Sequence, residues 1–419
     1  MEGYFLVFLI LSYNHRAGNI RPVEKVCRGI GRMIKTYKFR LLPTKKQVQK
    51  LDWTLDMCRI LYNSCLVDRK NQYEQTGKGL TRVKQQEILK ADKEIVEPLN
   101  DIHSQVLQNV LFRVERAFQN FFRRVKEGNS KVGYPRFKGE GRYDSFTYPQ
   151  EPGFQLTEQG LKLSKIGTVK LKKHREIVGE TKICTIKKEI NKWYACFSVE
   201  YDPVKKPIPE KAVGIDVGIK SFAVLSDGEV IDNPKCLRKS EGKLASKQRQ
   251  LSKKKKGSSN RKKARLKVAK CHRKIRDQRS DFHHKVSRKI VNTYGFIAVE
   301  DLNIKGMVRN HHLAKSISDA GWGQFLSCLT YKAEEAGCVV EKVAPHYTSI
   351  NCSVCGNPVP KTLAQRIHNC PFCHVVLNRD HNAAINILNK STAGTAESYA
   401  WGEIAHQGFS LNQEAPSNL

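Results

Sequence analysis

Acid is scarce in this sequence. It carries 40 Asp and Glu against 74 Lys and Arg, a formal net charge of +34 over 419 residues. Such an excess is self-repelling, and solubility alone seldom asks for so one-sided a balance. It calls for a polyanion, and counterion release from nucleic-acid phosphates would supply much of the affinity. Long apolar runs are missing too. The N-terminal run from Tyr4 to Leu11 is eight residues, whereas a bilayer span takes about twenty, so a membrane partner is excluded. Met-Glu-Gly offers neither the basic start nor the small-residue cleavage site of a signal peptide. These absences lead us to expect a cytoplasmic protein. No His-x-His triplet occurs, which excludes a tyrosine-type single-strand transposase.

Forty per cent of the residues are hydrophobic, enough for a globular chain of roughly two to four domains. Of the 13 cysteines, Cys27, Cys58, Cys65, Cys184, Cys196, Cys236, Cys271, Cys328 and Cys338 are scattered singly. They read as small core residues of a reduced compartment, not as a disulfide scaffold.

Residues 1–32 read unlike the rest of the chain, and we expect translation to begin at Met33. From there MIKTYKFRLLPT alternates as a strand up to Pro43. After Thr44 the spacing of Val48, Leu51, Leu55, Cys58, Leu61, Tyr62 and Cys65 predicts a helix. A second long helix is expected from about Ile102 to Lys126, with Val106, Val110, Val114, Ala117 and Phe121 as its apolar stripe. Its Arg113, Arg116, Arg123, Arg124 and Lys126 fit a solvated face or a nucleic-acid contact equally well. Between Val132 and Val204 short alternating runs predict a small β-barrel, and Pro203, Pro207 and Pro209 mark a linker. The segment 237–290 holds 22 Lys or Arg and three acids. We expect two helices joined by a loop at KKKKGSSNRKK. Lys253, Lys254, Lys255, Lys256, Arg261, Lys262 and Lys263 would then track phosphates. After Asn389 the chain turns small and polar, and residues 391–419 read as a disordered tail.

Three segments carry chemistry. AVGIDVGIKSFAVLSDGEVI reads as a strand ending at Asp216, a bend at Gly218, a second strand, an Asp227-Gly228 turn and a third strand. YGFIAVEDLNI delivers Glu300 at the end of an apolar strand, and in VVLNRDHNAAINIL Asp380 opens an amphipathic helix. A carboxylate in an apolar strand costs free energy unless something offsets it, and a bound cation does so. Asn378 and Asp380 also fit simple helix caps, and Asp301 either supports the metal-facing acids from behind or is a decoy for Glu300. Taken together, two strand-end acids and a third on a following helix match the way RNase H-like nucleases hold two Mg²⁺ about 3.5–4 Å apart. Oxygen ligands suit Mg²⁺ or Mn²⁺.

Cys352-x-x-Cys355 and Cys370-x-x-Cys373 stand 14 residues apart. Two such knuckles make a closed tetrahedral Zn²⁺ site that folds a loop and leaves no position for catalysis. His368 and His374 are surplus to it. The ribbon ends seven residues before Asp380, so it is expected to brace the acids.

The ordered motifs YKFRLLPTKKQ, YPRFKGEGRYDSFTYPQ, GIDVGIKSFAV, IAVEDLNIKGM, TSINCSVCG and NCPFCHVVLNRDHNAAINIL resemble TnpB from Met33 to about Leu388. That is the insertion-sequence family of RNA-guided nucleases related to type V CRISPR effectors, called OrfB or transposases in older usage. The resemblance implies a multidomain α+β chain whose RNase H-like (RuvC) α/β nuclease core, 206–345 and 376–390, carries an inserted Cys₄ zinc ribbon, 346–375. It further implies a β-barrel wedge domain, 33–50 and 132–205, and a helical recognition domain, 51–131. Asp216, Glu300 and Asp380 would be the metal ligands of one RuvC site cutting both DNA strands. The implied partners are a guide RNA from the transposon end, double-stranded target DNA and a transposase of the same element, in a prokaryotic, nucleoid-associated setting. Oligomeric state stays open. Guidance is implied by the resemblance and not by composition. The family often has Asp where this chain has Asn378. The alternative is a transposase or a transposition-accessory DNA-binding regulator; a DDE transposase would close with a glutamate where this chain has Asp380.

Overall fold

A computed structural model describes residues 32–128, 132–204, 207–362 and 364–392. The expected N-terminal extension up to residue 31 and the tail beyond 392 lie outside the described residues. The chain divides into two compact units between Asp202 and Pro203.

In the first unit strand β1, Met33–Leu42, alternates as its sequence dictates: Tyr37, Phe39 and Leu41 face inward. Pro43 ends it, and Thr44 caps helix α1, Lys45–Thr76. The Gln47 amide donates to Thr44 Oγ1 (3.3 Å) and the Thr44 amide to Gln47 Oε1 (2.9 Å). Helices α2, Arg82–Ile95, and α3, Ser104–Lys126, follow. The buried face of α3 is Val106, Leu107, Val110, Leu111, Val114 and Phe118. Ala117 and Phe121 of the expected stripe are half-buried instead, and the Phe121 ring lies 5.5 Å from Tyr134. Buried Arg69 of α1 ties the three helices together, donating to Gln85 Oε1 (2.8 Å) and Glu115 Oε2 (2.5 Å). Its charge is tolerated because both donors have partners.

The same unit holds strands β2 (Ser145–Tyr148), β3 (Phe154–Thr157), β4 (Gly160–Leu163), β5 (Gly167–Lys172), β6 (Glu180–Glu189) and β7 (Lys192–Tyr201). With β1 they form one antiparallel sheet in the order β2-β6-β7-β1-β5-β4-β3. The sheet curls: at the end of edge strand β2 the Tyr148 hydroxyl donates to the Ser164 carbonyl just past β4 (3.0 Å).

In the second unit β8 (Ala212–Val217), β9 (Ser221–Leu225) and β10 (Val230–Asp232) form an antiparallel meander. Strands β11 (Phe296–Glu300) and β12 (Val339–Val343) extend it in parallel, giving the order β10-β9-β8-β11-β12. Parallel neighbours need long crossovers. Helices α4 (Cys236–Ser252) and α5 (Ser259–Thr293) make the first. The second is made by α6 (Ile304–Met307), α7 (His311–Ala320) and α8 (Trp322–Ala336). Val213, Ile215, Phe222, Ile297, Phe325 and Leu329 form the core between the sheet and these helices. On the opposite face lies α9, Arg379–Thr392, with Ile387 and Leu388 packed on Ala298 and Val343. It sits so close to β8 that a Cβ on Gly214 would stand 2.1 Å from the Ala384 carbonyl oxygen. No helix among the described residues is long and apolar enough to cross a membrane.

Candidate metal sites

Side chains alternate along a strand, so Asp216 shares the face of Gly214, and Glu300 the face of Ala298. Both are the α9 face. The parallel register pairs Ile215 with Val299, and one step further along each strand stand Asp216 and Glu300. Strand β8 then bends at Gly218, whose amide donates to the Phe222 carbonyl (3.1 Å). Asp380 lies in the first turn of α9. Two strand ends and one helix start thus bring three acids together.

Their electrostatics record the convergence. Burial, then the charges of Glu300 and Asp380, push the Asp216 carboxyl well above the usual carboxylate range, against the opposing pull of Arg379. Burial also raises Glu300, opposed by the Thr348 hydroxyl, which donates to Glu300 Oε1 (2.6 Å), and by Lys390. Asp380 has Arg379 Nε at 3.4 Å and Arg366 Nη1 at 3.9 Å. Asn378 takes the capping duty, its Oδ1 accepting from the Asp380 amide (2.9 Å). Asp301 turns away: its side chain is 67 % exposed and pairs with Lys342 at 3.5 Å.

The three carboxylates fit divalent cations by their chemistry, being hard oxygen donors, two of which crowd Asp216 enough to oppose its ionisation. Their oxygens are not all within 4.8 Å of one another. Among the described residues only the thiols of Cys352, Cys355, Cys370 and Cys373 meet that spacing.

Those thiols sit on two matching knuckles. The Cys352 amide donates to the Asn357 carbonyl (2.9 Å) and the Cys370 amide to that of Val375 (3.0 Å). After each knuckle the backbone turns left-handed, at Gly356 (φ 74°) and at His374 (φ 59°). His374 therefore makes the turn. Cys352 and Cys373 sulfurs are 3.6 Å apart, and those of Cys355 and Cys370 3.5 Å. Zn–S bonds of about 2.3 Å in a tetrahedron give edges near 3.8 Å, so the set fits zinc. Strands β13 (Ile367–Asn369) and β14 (Val376–Asn378) pair antiparallel and lead straight into α9.

The ribbon is fastened to α9 by residues the motifs did not single out. Buried Asn382 accepts from the Ser353 amide (2.9 Å) and donates to the Asn351 carbonyl (2.8 Å). Asn386, one turn on, donates to the carbonyls of Thr348 (2.8 Å) and Asn351 (2.7 Å). A single helix therefore carries Asp380 and holds both the first knuckle and the Thr348 that contacts Glu300. The signal was present in the sequence as asparagines at 382, 386 and 389, spaced to share one face of the helix.

Of the basic run, Lys253 to Lys256, Lys262 and Lys263 are exposed. The loop is shorter than expected, because α5 begins at Ser259. Arg261 closes it, donating to the carbonyls of Leu251 (3.0 Å) and Lys254 (2.8 Å).

Three acids converging at two strand ends and a helix start, beside a four-thiol ribbon, define an α/β protein with two candidate metal sites, and comparison with known proteins narrows the class. Residues 196–311 match the family described as "Probable transposase", and residues 322–387 match the "Cas12f1-like, TNB domain". Residues 33–78 match a "Helix-turn-helix domain", although here they form strand β1 and the single helix α1. The chain is 32 % identical to "Putative RNA-guided DNA endonuclease InsQ" of Escherichia coli (strain K12), over 91 % of this chain and 97 % of the relative. It is 34 % identical to a "Putative RNA-guided DNA endonuclease" of Streptomyces pristinaespiralis, over 86 % and 90 %. A solved structure described as a Cas12f1-sgRNA-target DNA complex shares the fold at TM-score 0.54 and 14 % identity, covering 85 % of this chain and 98 % of its own. The chain belongs to the TnpB family.

Proposed function

We propose that the chain is a transposon-encoded, RNA-guided endonuclease that cuts double-stranded DNA at a single site built from Asp216, Glu300 and Asp380. The observation that carries this is the convergence of those acids, close enough for two of them to raise the third. The strand order, an antiparallel meander extended by two parallel strands, supports an RNase H-like reading of the second unit. In it Asp216, Glu300 and Asp380 would hold Mg²⁺ or Mn²⁺. When bound, such cations activate water and stabilise the leaving oxygen. The protein's part is positional. Strands β8 and β11 fix two carboxylates in register, α9 supplies the third, Thr348 orients Glu300, and Arg379 offsets part of the negative charge.

Zinc held by the four cysteines would keep the ribbon folded and α9 seated. The proposed domains are a β-barrel wedge at 33–50 and 132–205, a helical recognition domain at 51–131, the nuclease core at 206–345 and 376–390, and the ribbon at 346–375. Guide RNA and target DNA are the partners that the relatives' names support.

Two measurements test the proposal. RNA copurifying from cells that carry the flanking transposon DNA is sequenced, and a defined species ending beyond the transposon edge is expected. The purified complex and its Asp216→Ala variant are then compared for cleavage of a matching target in Mg²⁺. Equal cleavage by both would remove these acids from the chemistry. Binding without cleavage by either would favour the transposition-accessory regulator that "Probable transposase" leaves open.

A further inference from the structure

The first unit contains a cavity of about 350 Å³ that the nuclease reading leaves without a role. Arg113 and Arg116 of α3 line it, together with Lys138, Arg142, Tyr143 and Asp144 from the segment leading into β2. Four cations thus face one acid. Asp144 is already engaged: its carboxylate lies 3.8 Å from Lys187 Nζ and accepts from the Ser145 hydroxyl at 3.3 Å.

The walls are fixed before any ligand arrives. Arg113 donates to the Ser145 carbonyl (2.6 Å) and to Thr147 Oγ1 (3.0 Å), with its guanidinium 5.3 Å from the centre of the Tyr143 ring. Asn63 of α1 clasps Lys138 by both backbone groups, accepting from its amide (2.8 Å) and donating to its carbonyl (3.0 Å). Arg116 and Arg142 are exposed. We find no carboxylate within 4.0 Å of either among the described residues. Concave walls of one sign focus the local potential. Guanidinium forks match phosphate geometry and lose little freedom on binding it. The volume lies within the range of small-ligand sites, about 300–1,000 Å³, which accommodates a nucleotide-sized group.

We propose that this cavity seats a phosphodiester of a nucleic-acid backbone, with Arg116 and Arg142 as direct donors and Arg113 and Lys138 as a pre-set positive wall. It is a separate contact from the exposed lysines 253–256, which belong to the other unit. The inference rests on nucleic acid being the partner but not on cleavage, so it is tested by binding alone.

The experiment measures affinity of the full chain for a short RNA strand and a short RNA–DNA duplex of arbitrary sequence across a salt series. The Arg116→Gln/Arg142→Gln variant is compared with the wild type and with Lys162→Gln/Lys170→Gln, which removes two exposed charges from β4 and β5. Two lost phosphate contacts should flatten the slope of log K against log salt by about 1.4 on a single strand or 1.8 on a duplex. The lysine control should leave it unchanged. A change on the strand alone assigns the seat to unpaired RNA, and a change on the duplex alone to paired backbone. No change on either probe overturns the proposal. So does an equal change in the lysine control, which would mean a diffuse field and no seat. Failure of guided cleavage in the wild type would strike the nuclease reading and leave this result standing.

Discussion

Replacing Gly214 with alanine adds one methyl group at the closest approach between β8 and α9. The new Cβ would stand 2.1 Å from the Ala384 carbonyl oxygen and 2.8 Å from the Leu388 amide nitrogen. Both are backbone atoms, so no side chain can swing aside. An ordinary carbon-to-oxygen contact is about 3.3 Å, and the strand and helix must therefore part by roughly 1 Å. Overpacking of this kind costs about 1–3 kcal/mol. For a unit of this size it should lower Tm by roughly 3–10 °C.

The effect on cleavage should be larger in proportion. Asp216 is two residues from Gly214 on the same face, and Asp380 opens the displaced helix. A misplacement of ~1 Å between catalytic groups can cost about 100-fold in rate. Single-turnover cleavage of a matched target in saturating Mg²⁺, alongside thermal unfolding, measures both. Gly323→Ala in α8 is the control, since its added Cβ would meet only the Ile304 Cδ1 methyl at 3.7 Å. It should cut like the wild type and gain up to ~1 kcal/mol of helix propensity. A folded Gly214→Ala protein that cuts at the wild-type rate would refute the placement of α9.

The remaining predictions concern the acids and the ribbon. The Asp216 carboxyl is raised in the fold above its ordinary value of 3.8. Without Mg²⁺ or Mn²⁺ the wild type should therefore lose stability as pH rises from about 4 through the folded value. Asp216→Asn cannot ionise, so in buffer without Mg²⁺ or Mn²⁺, and with zinc left in the ribbon, its melting temperature should exceed that of the wild type at pH 8 and converge with it toward pH 4. A wild type that is the more stable at pH 8 would contradict this. Cys352→Ser should lower both stability and cleavage and reduce bound zinc as measured by metal analysis; full activity would refute the bracing role of the ribbon. Asn386→Ala leaves the Thr348 carbonyl without its donor. It should cost about 1–3 kcal/mol in thermal unfolding and slow cleavage through the displaced Thr348; an unchanged Tm would show that the clasp is dispensable.

Much of the local structure was legible because it is written in local terms. Period-two alternation marks β1, the Thr44 to Gln47 spacing marks the start of α1, and apolar runs ending in Asp216 and Glu300 mark two strand ends. The four-thiol set was legible for the same reason, since knuckle spacing is a short-range property. The α3 stripe was only partly so, because whether Phe121 is covered depends on where the neighbouring elements end.

Tertiary structure alone decided which acids meet. Nothing local says that β11 pairs with β8 in the register that brings Glu300 alongside Asp216, or that α9 crosses that face at Gly214. Nor does spacing distinguish Glu300 from Asp301; the pleat does, sending one toward α9 and the other to Lys342 and solvent. Arg261 looked like one more cation in a basic run until the turn between α4 and α5 supplied two carbonyls for it. Side-chain type and periodicity are properties of neighbours in the chain, whereas register, close approach and charge crowding are properties of neighbours in space, and only the packed fold sets those.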